Sequence, residues 1–252
     1  MLNIKNKHSR DDRLKMNEET HRYCIDGSDI KFKSVSIWVS EQFEPFNEDK
    51  VLNTMLKSSL FVEGHKYWGM TREEIKHLWK VKAREASEAG TKIHKQIEEF
   101  YLNENEFLYN KDLYDTHCYD YTEERGEDWL NFLNFVKENP MIQPYRVEWR
   151  LYDEELKIAG TLDMLGKNTD GTYTIYDWKR AQKICLPRVK DKVINTNFWI
   201  YTLQQSFYKL LLERNYGIII KEMFLVKIHP NEKYKLISVP DKTDYIKNKL
   251  GI

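Results

Sequence analysis

Cysteine is scarce in this 252-residue chain: Cys24, Cys118 and Cys185 stand far apart, with no CxxC pair among them. An odd, scattered set builds no disulfide framework and points to a reducing compartment. Three thiols also fall short of a four-cysteine iron–sulfur site, so no such cluster is expected. Long apolar runs are missing as well. The longest, Gly217-Ile-Ile-Ile220, reads as a buried strand, and nothing nears the roughly twenty residues that span a bilayer. Met1 to Thr20 has no secretory core, and Asp11, Asp12, Glu18 and Glu19 interrupt its basic residues, which fits neither a signal peptide nor an organellar presequence. These absences lead us to expect a soluble, intracellular protein with no membrane partner. Net charge is lacking too, with Lys+Arg and Asp+Glu both at 40. A passive basic coat for nucleic acid is thereby excluded, and any grip on a polyanion must come from a local patch.

The content that is present suits a folded protein: 41% hydrophobic and 13% aromatic residues supply a core, and the length fits one large domain or a core with an accessory region. Residues 1–20 are polar and are expected to be a flexible N-terminus. Residues 21–87 read as a hairpin, 21–25 with 30–32, and a helical region packed on the core. That region holds a helix from Ser34 or Ser36, then helices over 47–60 and 71–89, the last opened by the capping box Thr71-Arg-Glu-Glu74. A core follows over 88–240. It opens with a helix over 88–102 and carries a helical insertion at about 103–140, a loop and then a helix over 122–138 ending at Asn139-Pro140. Strands come next at 145–151, 157–166 and 172–179, then a helix over 197–215 and strands at 218–228 and 234–239. A tail helix in 241–252 closes the chain. The order predicts an α/β fold: a mixed central sheet flanked by helices, with a helical N-terminal addition. No internal repeat is visible.

The chemistry concentrates in Gly160-Thr-Leu-Asp163 and Asp177-Trp-Lys179. Asp177 and Lys179 are two apart, so in a strand they leave from one face. Asp163 stands just before the turn Lys167-Asn-Thr-Asp-Gly171, and the hairpin can carry it back beside them. Two carboxylates with an ammonium can hold Mg²⁺ or Mn²⁺ against a phosphodiester and keep a positive charge next to an attacking water. Asp177 follows Tyr173-Thr-Ile-Tyr176, a segment with the character of a buried strand, where an acid needs a metal or a lysine as partner.

Four segments in order, Gly90-Thr-Lys-Ile-His94, Gly160-Thr-Leu-Asp163, Asp177-Trp-Lys179 and Gln204-Gln-Ser-Phe-Tyr208, resemble the RecB-like branch of the PD-(D/E)XK nuclease superfamily. Within that branch the chain is most similar to the mitochondrial genome maintenance exonuclease group and its viral relatives, with Ser34-Val-Ser36 and Tyr145-Arg-Val-Glu148 adding to the likeness. The resemblance covers about residues 34–210, although 50–88 and 103–140 match only in general character. It implies a restriction-endonuclease-like core of αβββαβ order. It makes Asp163, Asp177 and Lys179 catalytic, and His94, Asp163, Asp177 and the backbone carbonyl of Trp178 the ligands of one or two Mg²⁺ or Mn²⁺ ions. Lys179 would orient the water or offset transition-state charge. Glu148 would lie near the metal. Glu98, one turn after His94, would orient it or contact a bound water, and is equally well read as a surface acid. Gln204 and Tyr208 would position DNA, their ordinary alternative being a polar edge beside Leu203, Phe207 and Leu210.

The chain departs from the family pattern at Arg180, where a small hydroxyl residue usually follows the lysine. Arg180 either alters how the scissile phosphate is seated or adds a phosphate contact along with Lys183, Arg188 and Lys190. The aromatics Trp38, Tyr67 and Trp68 offer stacking surfaces for unpaired bases or, more ordinarily, core packing. The implied activity is a metal-dependent deoxyribonuclease, an exonuclease on single-stranded DNA or DNA ends in replication, recombination or repair. The alternatives are an endonuclease of the same fold and a nucleic-acid-binding protein that does not cleave.

Overall fold

A computed structural model describes residues 2–17, 20, 22–103, 125–186 and 195–252. Helix α1 (Leu2–Lys5) precedes the strands β1 (Leu14–Asn17) and β2 (Arg22–Ile25). Strand β3 (Lys33–Ser34) runs directly into α2 (Val35–Ser40), and α3 (Glu48–Leu56) and α4 (Arg72–Asn103) follow. After α5 (Gly126–Glu138) come β4 (Gln143–Asp153), β5 (Ile158–Lys167) and β6 (Tyr173–Lys179). The chain ends with α6 (Asn197–Asn215), β7 (Ile220–Lys227), β8 (Lys235–Ser238) and α7 (Thr243–Leu250).

Among the described residues, β3 to β8 make one sheet ordered β3–β5–β6–β7–β8, with β4 paired to β5 off that path. The β3/β5 and β6/β7 pairs are parallel and the others antiparallel. A parallel β6/β7 pair needs a crossover, and α6 supplies it. Its buried residues, among them Phe198, Trp199, Leu203, Phe207 and Leu211, pack with Val35, Trp38, Leu162, Ile175 and Leu225 on one sheet face. Ile93, Ile97 and Phe100 of α4 and Phe132 and Phe135 of α5 pack with Met164, Tyr176, Trp178 and Val226 on the other. The α/β architecture expected from element order is the one observed: a mixed sheet with a helical layer on each face.

Local signals behave as their chemistry requires. Ser34, rather than Ser36, caps α2, its hydroxyl accepting from the Ile37 N–H at 3.2 Å. Thr71 and Glu74 exchange bonds, Thr71 N–H to Glu74 Oε2 at 2.7 Å and Glu74 N–H to Thr71 Oγ1 at 3.3 Å. The turn after β5 is closed by Asn168 N–H to the Thr172 carbonyl at 2.8 Å, with Gly171 at φ 83°.

Three expectations are corrected. Residues 2–17 are not loose: Leu2 and Leu14 are buried, and α1 and β1 are seated against the core. Strand β2 pairs with β1 rather than with 30–32, because Leu14 and Ile25 meet as an apolar pair that buries against Tyr152 and Ala159. The helices expected over 71–89 and 88–102 are one, 32 residues long. Gly90 costs that helix about 1 kcal/mol of propensity without breaking it, and a Cβ there would meet nothing within 4 Å, so no close approach calls for it. Of the insertion expected at 103–140, residues 104–124 lie outside the described residues, as do Arg188 and Lys190.

Candidate metal centre

The site begins where a hairpin stops being a hairpin. Strands β5 and β6 pair from Lys167–Tyr173 up to Met164–Tyr176, and the ladder ends there. The next residues outward, Asp163 and Asp177, oppose each other across a fork. In place of a ladder bond, the Trp178 N–H donates to Asp163 Oδ2 at 2.9 Å. On the other edge of β5, the register from Val147–Met164 to Trp149–Leu162 sets Glu148 opposite Asp163. Glu148, Asp163 and Asp177 therefore form one row across three strands.

The backbone at that row is unusual. Glu148 has φ 45°, the left-handed region that a non-glycine residue seldom adopts inside a strand. Val147 and Met164 pack with α4 and α5, whereas Trp149 and Leu162, two residues along, pack with α6. A regular strand keeps residues two apart on one face. The β4–β5 ribbon thus turns over at Glu148 and Asp163. Strain of this kind costs about 1–3 kcal/mol and persists only where the surroundings impose it.

Helix α4 supplies the imidazole. Ile93 and Ile97 bury on the sheet and aim His94 at the row. Its Nε2 is 3.0 Å from the Trp178 carbonyl, and its Nδ1 is 3.6 Å from Asp163 Oδ2 and 3.9 Å from Glu148 Oε1. Burial opposes charge on this ring, but the carboxylates of Asp163 and Glu148 outweigh it and raise its pKa to about 9. The ring is then a cation at neutral pH, donating to the carbonyl and facing the acids. Burial raises the pKa values of Asp163 and Asp177, while the ammonium of Lys179 and the imidazolium pull them back. Burial alone would lower the pKa of Lys179, but Asp177 and Asp163 more than reverse this, and its Nζ lies 2.7 Å from Asp177 Oδ2. That oxygen is buried and takes no aligned hydrogen bond.

These features fit a divalent cation. One ligand atom each from His94, Glu148 and Asp163 lies within 4.8 Å of the others. Carboxylate oxygens and an imidazole suit hard or borderline divalent ions. With all three acids ionised, the lysine and the imidazolium leave one negative charge uncompensated. A divalent ion beside a neutral imidazole would close that gap, with Asp177 next to it in the row and paired to Lys179.

The remaining expected residues divide. The Trp178 indole is core, packed edge-on to Phe132 and Phe135, while its carbonyl faces His94. Glu98 is half-buried one turn beyond His94, and its side chain joins neither the acid row nor a side-chain hydrogen bond among the described residues. Gln204 Nε2 donates to the Tyr208 hydroxyl at 3.3 Å. Tyr208 is buried, and burial drives its pKa well above the phenol range, with Asp163 and Asp177 adding to the rise. Its ring explains Gly160, where a Cβ would stand 2.8 Å from Tyr208 Cε1 and 2.9 Å from Val35 Cγ2. Arg180 is engaged elsewhere, its Nε donating to Asp128 Oδ2 at 2.6 Å. Lys183 is exposed, and its carbonyl accepts from Asn197. Trp38 and Tyr67 are core residues, Trp38 against Phe207 and Tyr67 accepting from Trp79, whereas Trp68 is half exposed.

Tyr201 was not foreseen. Its ring lies 4.8 Å from Lys179 Nζ and steadies the ammonium from α6. The available signal was spacing: Tyr201, Gln204 and Tyr208 fall at i, i+3 and i+7, one helix face.

A row of acids, two of them buried, beside a lysine on a mixed sheet between helical layers, has the form of a metal-dependent nuclease site. The chain belongs to the PD-(D/E)XK nuclease superfamily, whose sequence model matches residues 68–248. The sheet is accordingly restriction-endonuclease-like, and membership brings divalent-metal chemistry and a nucleic-acid substrate with it. Among solved structures, one titled "Crystal structure of SSO0001" is similar at 17% identity over 63% of this chain and 68% of that one; at a TM-score of 0.26 it carries no argument. No curated protein matches the chain. No helix among the described residues is long and apolar enough to cross a membrane.

Proposed function

We propose that this chain is a Mg²⁺- or Mn²⁺-dependent deoxyribonuclease of the RecB-like branch, akin to the mitochondrial genome maintenance exonucleases, that degrades single-stranded DNA or DNA from its ends. The observation that carries the reading is the convergence of Glu148, Asp163, Asp177, His94 and Lys179 at the strand fork. The metal ligands are Glu148, Asp163, Asp177, His94 and the Trp178 carbonyl. When bound, the ion supplies Lewis-acid polarisation of the scissile phosphate. The residues do the rest. Glu148 and Asp163 present fixed carboxylate oxygens. His94 gives up its extra proton to become a ligand. Lys179, held between Asp177 and the Tyr201 ring, orients the water and offsets charge on the phosphorane-like transition state. Gln204, half-buried and bonded to Tyr208, guides the strand, with Tyr208 buried behind it.

Support for end-dependent cleavage comes from α4. The helix that carries His94 also carries, one half-length earlier, the apolar cluster of Leu52, Tyr67 and Ile75. We read this N-terminal region as a cover over the site, which would favour a threaded free end over closed DNA. Pathway follows from substrate: removal or resection of ends in replication, recombination or repair.

The test compares end-labelled linear and closed circular single-stranded DNA in Mg²⁺ and in Mn²⁺, with the corresponding RNA as a second arm. Linear DNA should shorten from an end while circles persist, and chelation should stop the reaction. Rapid nicking of circles would make it an endonuclease. Strand binding without cleavage in either metal would make it a binding protein.

A further inference from the structure

Glu148 keeps an unfavourable backbone conformation, and something outside β4 must hold it there. Strand β4 pairs only with β5 among the described residues, so its other edge has no strand partner. The N-terminal arm covers that edge. The Asn3 side chain donates from Nδ2 to the Val147 carbonyl at 2.8 Å and accepts from the Val147 N–H through Oδ1 at 3.1 Å. These are the two bonds that a neighbouring strand would make to the residue just before Glu148. Asn6 Nδ2 donates to the Tyr145 carbonyl at 2.8 Å. On the side-chain level, Asp11 grips both flanks of Glu148: Arg146 Nη1 donates to its Oδ2 at 2.7 Å, and Trp149 Nε1 donates to its Oδ1 at 2.8 Å. Arg146 also donates to the Asn6 carbonyl at 2.8 Å. Leu2 buries beside Ile93 and Ile97, so the same arm touches the helix that bears His94.

We propose that Asn3 is a positioning residue of the metal centre: by completing the edge of β4 at Val147 it holds Glu148 in its turned-over conformation, with the carboxylate beside Asp163 and His94. The inference rests on the reading of Glu148 as a metal ligand. Without Asn3, the Val147 N–H and carbonyl lose the only partners they have outside the β4–β5 ladder among the described residues. Glu148 can then relax to ordinary extended φ, and one residue's change of φ re-aims its carboxylate away from the row. Groups that orient a ligand from behind are worth about 10–100-fold in metal affinity.

The test uses the full chain, metal-free and without nucleic acid, titrated with Mn²⁺ by calorimetry. Asn3→Ala should bind Mn²⁺ about tenfold more weakly than the parent. Asn6→Ala, which loses a contact to Tyr145 but none at Val147, should lose less than about threefold. In a Glu148→Gln background, Asn3→Ala should cost nothing further, because two changes that act through one group are not additive. Parental Mn²⁺ affinity in Asn3→Ala, or an undiminished loss in the Glu148→Gln background, would overturn the proposal. If Asn3→Ala does not fold, Asn3→Asp serves, since it keeps the acceptor and removes the donor; parental affinity there overturns it equally. Should Glu148→Gln alone bind Mn²⁺ like the parent, the assignment of Glu148 as a ligand has failed and takes this inference with it.

Discussion

The two ends of the β5–β6 hairpin are built for different purposes. From Met164–Tyr176 to the Asn168–Thr172 turn the ladder is complete, and Leu165 and Ile175 are fully buried in the α6 face of the core. Beyond Met164 the strands part, backbone pairing gives way to a carboxylate accepting from Trp178, and like charges are buried together. The closed end gains stability from apolar burial. The open end gives stability up, holding acids whose pKa values burial has raised, so that a cation has somewhere to go. Activity and folding should therefore separate along one hairpin.

The largest expected effect sets those ends against each other. Asp177→Asn should lower cleavage by about 10³-fold, the scale of losing a transition-state electrostatic group, and should change melting little, because relief of burying a carboxylate beside Asp163 offsets the lost ion pair with Lys179. Leu165→Ala should instead cost about 2–5 kcal/mol of stability, with Mn²⁺ affinity of the folded protein kept within about twofold because no ligand moves. Denaturant melts paired with a nuclease assay decide this, and a severe melting loss in Asp177→Asn would erase the contrast.

A smaller effect is proton-linked. The His94 pKa, raised to about 9 in the metal-free protein, means that ion binding must expel a proton at neutral pH. Mn²⁺ affinity should rise with pH, by about tenfold per unit up to the His94 pKa for this one proton, and His94→Gln should remove that component. Stability of the metal-free chain runs the opposite way. The contribution from His94 is fully present below its unfolded value of 6.5 and is lost as pH rises through about 9. Thermal melts across pH, in EDTA and in excess Mn²⁺, read both slopes.

The smallest effect lies on β5 beyond the acid row. Gly160→Ala should cost about 1–3 kcal/mol, the usual price of forcing a methyl into packed space, since its Cβ would press on Tyr208 and Val35. If the variant is as stable as the parent, the Tyr208 ring is not fixed against Gly160 and can move aside for a methyl.

Much of this site was legible in the residues. Asp177 and Lys179 share a strand face because they are two apart, and the Asn168–Gly171 turn returns Asp163 to them; both facts are local, and the structure agrees. Arg180 stood out by type, but its partner Asp128 lies 52 residues away on helix α5, so no pattern near Arg180 announced the ion pair. The N-terminal arm was misjudged for a similar reason. Its polar composition resembles a solvated tail, yet Asn3 and Asp11 spend that polarity on β4, more than 130 residues distant.

What the amino-acid order determined by itself was the set of short-range choices: helix caps, the hairpin turn, and which acids and which lysine share a strand face, all fixed by neighbours along the chain. Only the tertiary structure decided that the β4–β5 ribbon turns over at Glu148 and Asp163 and that His94 meets them there. An unfavourable φ is never selected by the residue that bears it; it survives because contacts made elsewhere, across strand edges and helix faces, leave the backbone no cheaper place to be.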